Sequence, residues 1–455
     1  MSVSQKTDPT VCIVGMGYVG LTLGVVAADV GLRVHGLEIR SDIRDTIMAK
    51  QAHFFERGIN QMLARVVDDG RLTVTKTLPD EADVDIYVVT VGTPLDPDGK
   101  ARLDMVESVA TMISERLKDG DTIIMRSTVK LGTTRRLVRP ILEKSRKRFH
   151  LAFCPERTVE GKALAELREL PQIVGADCLE DAQAATRLFR NLTHTIQVVS
   201  SLETAEMIKL VDNVSRDVNF AFANEVALLC DEFGVSAHEV IRTANSDYER
   251  TNVALPGPVA GPCLSKDPHI LYQSLRPEAR NSVLASITRA GRATNEYLAD
   301  YAARQVAELL GEAGNVECPV VSLLGLAFKG RPETGDLRGS MAHPILEALR
   351  ARLPGAEFRG YDPIALPVEV EEWGLPFHGR METALDGAHV GLILNNHPVF
   401  ERMDVSALSS NMAKPGLIYD FWSHFRAKEL ALAPGVRYVS FGNRSESIAP
   451  EMTRA

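Results

Sequence analysis

One stretch decides the fold of this chain: Val11-Cys-Ile-Val-Gly-Met-Gly-Tyr-Val-Gly20. Four apolar residues lead into three glycines with the spacing G-x-G-x-x-G, and residues 21–30 continue with helical composition. We therefore predict a strand, a tight turn and a helix. Further strands are predicted at residues 33–38, 85–91 and 121–125, with helical stretches between them. This alternation indicates an α/β fold with a doubly wound parallel sheet.

The three glycines favour a dinucleotide ligand. Gly15 permits the tight turn, Gly17 lets the backbone approach a pyrophosphate, and Gly20 lets the helix pack on the strand. The first amides of the helix, at Tyr18 and Val19, are then expected to meet the phosphates. A glycine motif of this kind is informative only in the order strand, turn and helix, which is the order predicted here.

An acidic residue at the end of the second predicted strand favours NAD. Glu38 is expected to accept hydrogen bonds from the adenosine ribose hydroxyls and to repel the 2′-phosphate of NADP. Arg40, two residues later, is the feature that favours NADP. If the glycines only shaped a turn and Glu38 were merely solvated, the coincidence of these features would stay unexplained. We predict an NAD-binding oxidoreductase.

Bulk properties exclude other classes. At 455 residues the chain is too long for one ordinary core. The net charge of −9 is spread along the chain without a basic block, which argues against nucleic acid. The sequence has neither a signal-peptide core nor an apolar run of about 18 residues, so a cytoplasmic protein without a membrane partner is expected. Cysteine and histidine spacing predicts neither disulfides nor a metal site.

A long helix and a second strand pattern extend the prediction. Residues 201–234 contain neither proline nor glycine until their end, which predicts a helix of about 50 Å that connects two domains and offers a dimer surface. A second α/β domain is predicted from strand candidates at residues 318–325, 358–363 and 389–394.

Two groups of residues carry candidate chemistry. A Gly/Pro-rich loop presents Cys263 just before Lys266 and Asp267; a nearby cation favours the thiolate, although an isolated cysteine is more often a small buried hydrophobe. Lys209 and Asn213 stand four residues apart on the long helix, where an ammonium and an amide can stabilise an oxyanion. The alternative for that pair is an exposed helix face.

Two glutamates follow the apolar residues 151–154. Glu156 and Glu160 flank a predicted turn, where a carboxylate can act as a base or orient a water molecule. Glutamates in loops are more often simply solvated.

Taken in order, these motifs resemble those of the UDP-glucose/GDP-mannose dehydrogenase family, which oxidises the C6 alcohol of a nucleotide sugar to a carboxylate with two NAD⁺. The resemblance covers nearly the whole chain. It implies two Rossmann-like domains with doubly wound parallel sheets, joined by a long central helix and a helical dimerisation region. It also implies a nucleotide sugar as small-molecule substrate, with UDP favoured, and a homodimer or larger homo-oligomer. The implied domains are residues 1–200 for NAD, 201–312 for the central helical part with the cysteine loop, and 313–455 for the nucleotide sugar.

The resemblance also implies a mechanism. Asp267, Lys209 and an ordered water are the candidates for removing the hydroxyl proton. Cys263 then attacks the aldehyde, Lys209 and Asn213 stabilise the oxyanion of the thiohemiacetal, and Glu156 or Asp267 activates the water that cleaves the thioester. The nucleophile loop of the family is normally C-x-P-K-D, and residues 263–267 match it except at the proline.

Further residues are assigned by the resemblance alone. Thr93 and Thr128 match strand ends on the cofactor side, and Thr128 is also assigned to catalysis. The implied substrate contacts are Arg157, Glu160, Arg250, Lys266, Lys329 and Arg338.

The chain departs from the family pattern at three places. Cys154 replaces an asparagine, residues 258–262 replace a G-x-G-G segment, and Trp422 stands where a D-x-R motif has arginine. Residues 155–163 look closer to the N-acetylhexosamine branch, whereas Lys266 is more typical of the UDP-glucose branch. The sugar is therefore left open.

Two other functions remain open. A two-electron β-hydroxyacid dehydrogenase shares the dinucleotide unit and the long helix but needs no cysteine. A catalytically inactive nucleotide-sugar-binding protein would retain NAD binding. A short-chain epimerase is disfavoured because none of the nine tyrosines has a lysine four residues later.

Overall fold

The computed structural model describes residues 9–280, 282–314 and 316–443. These form two compact units. Unit 1 contains residues 9–212 and 269–280, and unit 2 contains residues 213–268, 282–314 and 316–443. The division falls inside one long helix, so the predicted three-domain boundaries stay a prediction.

Unit 1 is built on one large sheet. Its strands are β1 (Thr10–Val14), β2 (Arg33–Leu37), β3 (Leu72–Thr75), β4 (Ile86–Val89), β5 (Asp121–Met125), β6 (Phe149–Phe153), β7 (Gln172–Ala176) and β8 (Ile196–Val199). They lie in the order β3-β2-β1-β4-β5-β6-β7-β8, and every neighbouring pair is parallel except β6 with β7. The helices between them are α1 (Tyr18–Asp29), α2 (Ser41–Met48), α3 (Ile59–Asp68), α4 (Asp104–Ser114), α5 (Arg139–Leu142), α6 (Ala163–Glu169) and α7 (Leu179–Phe189).

The sheet of unit 1 is buried on both faces. Along β1, Val11 and Ile13 belong to one hydrophobic cluster, whereas Cys12 and Val14 belong to another. Successive side chains of a strand point to opposite faces, so the two clusters are the two layers of core that cover this sheet. This explains why the strand reads as a continuous apolar run rather than as an alternating one.

Unit 2 combines helices with a second parallel sheet. The sheet order is β10-β9-β11-β12-β13, with all pairs parallel; the strands are β9 (Val320–Leu324), β10 (Glu357–Tyr361), β11 (Val390–Ile393), β12 (Gly416–Asp420) and β13 (Val436–Ser440). The remaining α-helices among the described residues are α8 (Leu202–Phe233), α9 (Ala237–Asn245), α10 (Gly261–Leu264), α11 (Asp267–Gln273), α12 (Ser286–Gly314), α13 (Ala342–Arg352), α14 (Pro367–Glu371), α15 (Met381–Leu385), α16 (Pro398–Glu401) and α17 (Val405–Asn411).

The predicted fold class is confirmed. Two Rossmann-like sheets are present, and the helix expected at residues 201–234 is α8, whose 32 residues span about 48 Å at 1.5 Å each. It begins in unit 1 and continues into unit 2. Among the described residues, no helix combines the length and hydropathy needed to cross a membrane.

Candidate active site

The glycine turn in unit 1 has the geometry of a phosphate-binding loop. Gly15 has φ +96°, and its N–H donates to the carbonyl of Leu37 at 2.8 Å. A Cβ on Gly20 would lie 1.9 Å from the Gly15 carbonyl oxygen, whereas a Cβ on Gly17 would meet nothing within 4 Å. Helix α1 begins at Tyr18 without a side-chain cap, which leaves its first N–H groups available to an anion.

The last two glycines of the motif are expected to respond differently to alanine. Gly17→Ala meets open space at a φ of −68°, so we expect an unchanged thermal midpoint and NADH binding weakened at least about tenfold, because the new methyl occupies the approach of the pyrophosphate. Gly20→Ala is expected to lower the thermal midpoint because its methyl clashes with backbone. Differential scanning fluorimetry and NADH fluorescence titration measure the two effects; tight NADH binding by the Gly17 variant would contradict the assignment.

The Glu38 carboxylate closes the same turn. It accepts from the backbone N–H of Met16 at 3.1 Å and of Arg40 at 3.0 Å. The Arg40 guanidinium pairs with Asp42 at the surface, so its hydrogen bonds go to that carboxylate and not to Glu38. This arrangement places a carboxylate where a ribose diol is expected and fits NAD.

The ends of the central strands are tied together beside this turn. The Thr90 hydroxyl donates to the Gly15 carbonyl at 2.7 Å, and the Thr93 hydroxyl donates to the Thr128 carbonyl at 2.5 Å. Both predicted threonines therefore lie at the carboxyl ends of β4 and β5, the edge at which doubly wound sheets bind ligands. Val19, in the first turn of α1, is half-buried.

Glu156 is buried and held by an arginine that the sequence analysis missed. Two guanidinium nitrogens of Arg126 donate to its Oε2 at 2.6 and 3.1 Å, and the backbone N–H groups of Arg157 and Thr158 donate to Oε1 at 2.7 and 2.8 Å. Burial alone would raise the pKa of Glu156, but Arg126, these amides and the Lys209 ammonium outweigh it and lower the pKa below its usual value. The carboxylate is therefore ionised and fixed in position.

The segment after Glu156 is tied to the start of α1. Tyr18 donates its hydroxyl hydrogen to Glu56, and the Gly161 N–H donates to the Glu56 carboxylate at 2.7 Å. Burial, the bond to Glu56 and the nearby charge of Glu160 raise the pKa of Tyr18. Glu160 is thus brought to the glycine turn. Glu56, a buried residue, was not identified from the sequence.

Cys263 lies on the short helix α10 of unit 2 and is exposed. The preceding Gly261 has φ +88°, and a Cβ there would lie 2.4 Å from the Phe328 ring. Its N–H donates to the Gly339 carbonyl at 2.7 Å. These contacts hold the backbone of the loop at Gly261, two residues before the exposed cysteine.

Asp267 bonds two other residues that were predicted from the sequence, Asn213 and Lys266. Its carboxylate is fully buried and accepts from the Asn213 amide at 2.5 Å and from the Lys266 ammonium at 2.5 Å. The Asn213 amide and the Lys266 ammonium compensate the free energy that burial of this carboxylate costs. The Lys266 ammonium is therefore paired with the Asp267 carboxylate. Lys209, one helical turn before Asn213, is also buried.

A hydrogen-bonded chain of buried polar side chains supports both ends of the cysteine loop. Asn224 accepts from the Gly257 N–H at 2.8 Å and donates to Asn295 at 2.9 Å. Arg292 donates to the Leu264 carbonyl at 3.0 Å. The chain is completed by Asp217, fully buried, which accepts from Arg292 at 2.6 Å and from Asn295 at 2.9 Å. These residues of α8 and α12 were not predicted because polar residues on a long helix read as its exposed face.

Asn224→Ala is expected to loosen this loop. The substitution leaves the buried Gly257 N–H without its acceptor, which costs about 1–3 kcal/mol, and we expect the rate at which iodoacetamide alkylates Cys263 to change at least about threefold. Mass spectrometry of the modified peptide measures the rate, with exposed Cys318 as internal reference. Asn219→Ala is the matched control, because Asn219 is also on α8 but bonds residues 252 and 254. Equal alkylation rates of Cys263 in the wild type and in the Asn224→Ala variant would refute the role of Asn224 in supporting the loop.

Three other predicted substrate contacts pair with a carboxylate or lie over an aromatic ring. Arg157 pairs with Asp212 at 2.9 Å, and exposed Arg250 lies over the Tyr248 ring. The Lys329 ammonium lies over the Phe328 ring.

Arg338 and Trp422 are both near the loop that carries Cys263. Arg338 pairs with Asp336 at 2.6 Å and borders a cavity of about 440 Å³ that Ser265 also lines. Trp422 donates from its indole nitrogen to the Leu394 carbonyl at 2.9 Å. Its ring packs on Gly257, where a Cβ would come within 2.7 Å.

Three domain families match the chain in sequence order. They are the NAD binding domain of the UDP-glucose/GDP-mannose dehydrogenase family at residues 9–193, its central domain at residues 203–297 and its UDP binding domain at residues 322–427. Together they cover both units and the cysteine loop.

Individual relatives agree with these matches. The chain is 31% identical to a UDP-N-acetyl-D-mannosamine dehydrogenase of Pyrococcus horikoshii over 88% of this chain and 93% of that one. It is 31% identical to an NDP-N-acetyl-D-galactosaminuronic acid dehydrogenase of Ralstonia solanacearum over 93% and 97%. The structure of the UDP-D-ManNAc dehydrogenase from Pyrococcus horikoshii superposes with a TM-score of 0.84 at 30% identity, covering 96% of this chain and all of that one.

Proposed function

The chain belongs to the UDP-glucose/GDP-mannose dehydrogenase family and is an NAD-dependent nucleotide-sugar dehydrogenase, and on this premise we propose that it oxidises the C6 hydroxyl of a UDP-N-acetylhexosamine to the uronic acid. The observation that carries the proposal is the exposed Cys263, on a loop whose backbone is held at Gly261, with the buried Asp267 four residues later. The names of the relatives favour an N-acetylated sugar.

The residues of unit 2 supply a nucleophile and its support. The Cys263 sulfur adds to the aldehyde carbon, the carbonyl π bond opens, and the thiol proton passes to the carbonyl oxygen, so that the product is a thiohemiacetal. Its oxidation gives a thioester, water cleaves the C–S bond, and the carboxylate is released with the thiol restored. NAD⁺, when bound, supplies the hydride acceptor for both oxidations. Asn213 and Lys266 hold the Asp267 carboxylate in position as the proposed base for the hydroxyl proton.

Residues of unit 1 are proposed to assist at two stages. Lys209 is a second candidate for handling the hydroxyl proton and for stabilising the oxyanion. Glu156 is ionised and fixed by Arg126 and two amides, which suits a carboxylate that orients a water molecule for thioester cleavage. Thr128 stays a proposed contact to the cofactor and the reacting sugar.

The two-electron alternative explains less. A β-hydroxyacid dehydrogenase gives no reason for an exposed cysteine whose loop is supported at both ends by buried hydrogen bonds. An inactive binding protein gives no reason for a buried carboxylate, four residues after that cysteine, that is held by an amide and an ammonium.

A panel of nucleotide sugars tests the proposal. We expect UDP-N-acetylmannosamine, UDP-N-acetylgalactosamine or UDP-N-acetylglucosamine to yield two NADH per sugar, with the uronic acid as product by mass spectrometry. UDP-glucose and GDP-mannose serve as matched comparisons, and their preferential oxidation would move the assignment to another branch. One NADH per sugar with an aldehyde or ketone as final product would refute the four-electron reaction.

We further propose a cytoplasmic homodimer that pairs through α8 and supplies uronic acid for polysaccharide synthesis. Phe222, Leu229 and Phe233 are at least half exposed on that helix, and their spacing of seven and four residues puts them on one face. Contiguous apolar surface of this kind is typical of an interface. Sedimentation equilibrium of the wild-type chain and of a Phe222→Glu variant tests the pairing.

A further inference from the structure

Unit 2 contains a second polar cavity that shares no lining residue with the Cys263 loop. Its volume is about 510 Å³, a size common for small-molecule sites. It is lined by the first turns of α9 and by the loops that follow β12 and β13. The carboxyl ends of parallel strands are where this type of sheet binds ligands.

Four buried polar atoms that belong to lining residues have no hydrogen-bond partner among the described residues. They are Nε2 of His238, Oγ of Ser423, Nε2 of His424 and Oδ1 of Asn443. Only 4% of the His424 side chain and 6% of Asn443 are exposed. Because buried polar atoms are nearly always bonded, four such atoms in the lining residues of one cavity mark it as a candidate polar site.

The His424 ring is locked in one orientation. Its Nδ1 lies 2.9 Å from the fully buried carboxylate of Asp420, which also accepts from the backbone N–H groups of Trp422 and His424 and from the Tyr438 hydroxyl at 2.8 Å. Burial would raise the pKa of Asp420, but these donors lower it. The ionised carboxylate therefore fixes Nδ1 and leaves Nε2 as the free edge of the ring.

The backbone is also strained at this point. Ser423 has φ +47°, a left-handed conformation that residues with a side chain rarely adopt. Such strain is retained where the surrounding structure requires a particular geometry. Here it accompanies the unbonded Ser423 hydroxyl among the cavity-lining atoms.

Positive charge dominates the rim. Arg242, Arg426 and Lys428 line the cavity with two carboxylates, Glu239 and Glu429. Glu429 is bonded to Arg426 at 3.1 Å, so the remaining cations outnumber the remaining carboxylate. The rim therefore attracts an anion.

We propose that this cavity binds the phosphate group of a small molecule. The Ser423 hydroxyl and the Arg242 guanidinium supply donors to the phosphate oxygens, and the Nε2 edges of His238 and His424 supply a donor or, in a neutral ring with Nδ1–H, an acceptor for a P–OH group, which suits the several oxygens of a phosphate. In the part of the chain that the structure describes, no group of three or more histidine, cysteine and acidic side chains is arranged to hold a metal. The site is separate from the chemistry at Cys263 and does not depend on it.

Calorimetric titration of the full chain with inorganic phosphate tests the proposal, with NAD⁺ and UDP present at saturation to occupy other phosphate sites. We expect saturable binding that weakens at least tenfold in Arg242→Met and in His424→Gln. Arg242 is exposed on α9, so its variant reports on binding even if the His424 variant fails to fold. Arg380→Met, at an exposed arginine outside the cavity, is the matched control and is expected to bind as wild type.

Three outcomes would overturn the proposal. The first is the absence of saturable phosphate binding by the wild-type chain. The second is unchanged affinity in Arg242→Met, which would place the phosphate elsewhere. The third is acetate binding as tightly as phosphate with the same dependence on Arg242, which would show a general carboxylate site.

Discussion

Replacing Cys263 with serine is expected to abolish carboxylate formation while NADH binding stays at the wild-type affinity. A serine hydroxyl is a far weaker nucleophile than a thiol at neutral pH, so the covalent step fails. Removal of a nucleophile of this kind costs about 10³-fold or more in kcat. The glycine turn that serves the cofactor belongs to unit 1 and is untouched by the substitution. NADH yield per sugar and mass spectrometry of the product measure carboxylate formation. NADH fluorescence titration measures cofactor binding.

Cys318→Ser provides the matched control because Cys318 is also an exposed cysteine of unit 2. We expect it to retain two NADH per sugar. If the Cys263 variant also completed the four-electron oxidation at a wild-type rate, the thioester route would be wrong even though the family assignment would stand. Loss of NADH binding in the Cys263 variant would instead indicate a folding defect and would be checked by its thermal midpoint.

The sequence predicts those parts of the molecule that depend on local pattern. The strand, turn and helix around Gly15 follow from apolar runs and glycine spacing within a dozen residues, and the long helix α8 follows from the absence of proline and glycine. Strand boundaries shift by one or two residues, as at β4, which covers Ile86–Val89 within the predicted residues 85–91. The antiparallel pairing of β6 with β7 was not predicted, because direction is set by packing across the sheet.

The supporting contacts of the site lie beyond local pattern. Arg126 and Glu156 are 30 residues apart, and Asn224 and Gly257 are 33 apart. Each is an ordinary polar residue in its own segment, and only the folded chain makes it a buried partner. The motif residues could be identified by type and spacing, whereas the residues that hold them depend on which strands and helices become neighbours.

Arg126→Met is expected to cost about 3–5 kcal/mol of unfolding free energy at pH 7, because it removes the cation that is bonded directly to the buried Glu156 carboxylate and leaves the Lys209 ammonium and two backbone amides to compensate its charge. Arg126 also bonds the Cys154 carbonyl and Gln172, both at 2.9 Å, so the loss extends to two further acceptors. Arg168→Met is the matched control, because Arg168 pairs with Asp29 near the surface and such pairs contribute about 1 kcal/mol or less. Urea unfolding monitored by circular dichroism gives both values.

The pH dependence of the difference in unfolding free energy tests whether the Glu156 carboxylate destabilises the Arg126→Met variant. In the wild type the pKa of Glu156 is lowered, so its contribution to stability is present above the pKa of an unfolded glutamate and is lost as pH falls through the lower folded pKa. Without Arg126, burial raises the pKa of Glu156, and the variant gains relative stability as pH falls through that raised value. The difference between the two proteins is therefore expected to narrow steadily from pH 7 towards pH 4. A difference that stays constant across this range would show that lost packing, and not the uncompensated charge of Glu156, destabilises the variant.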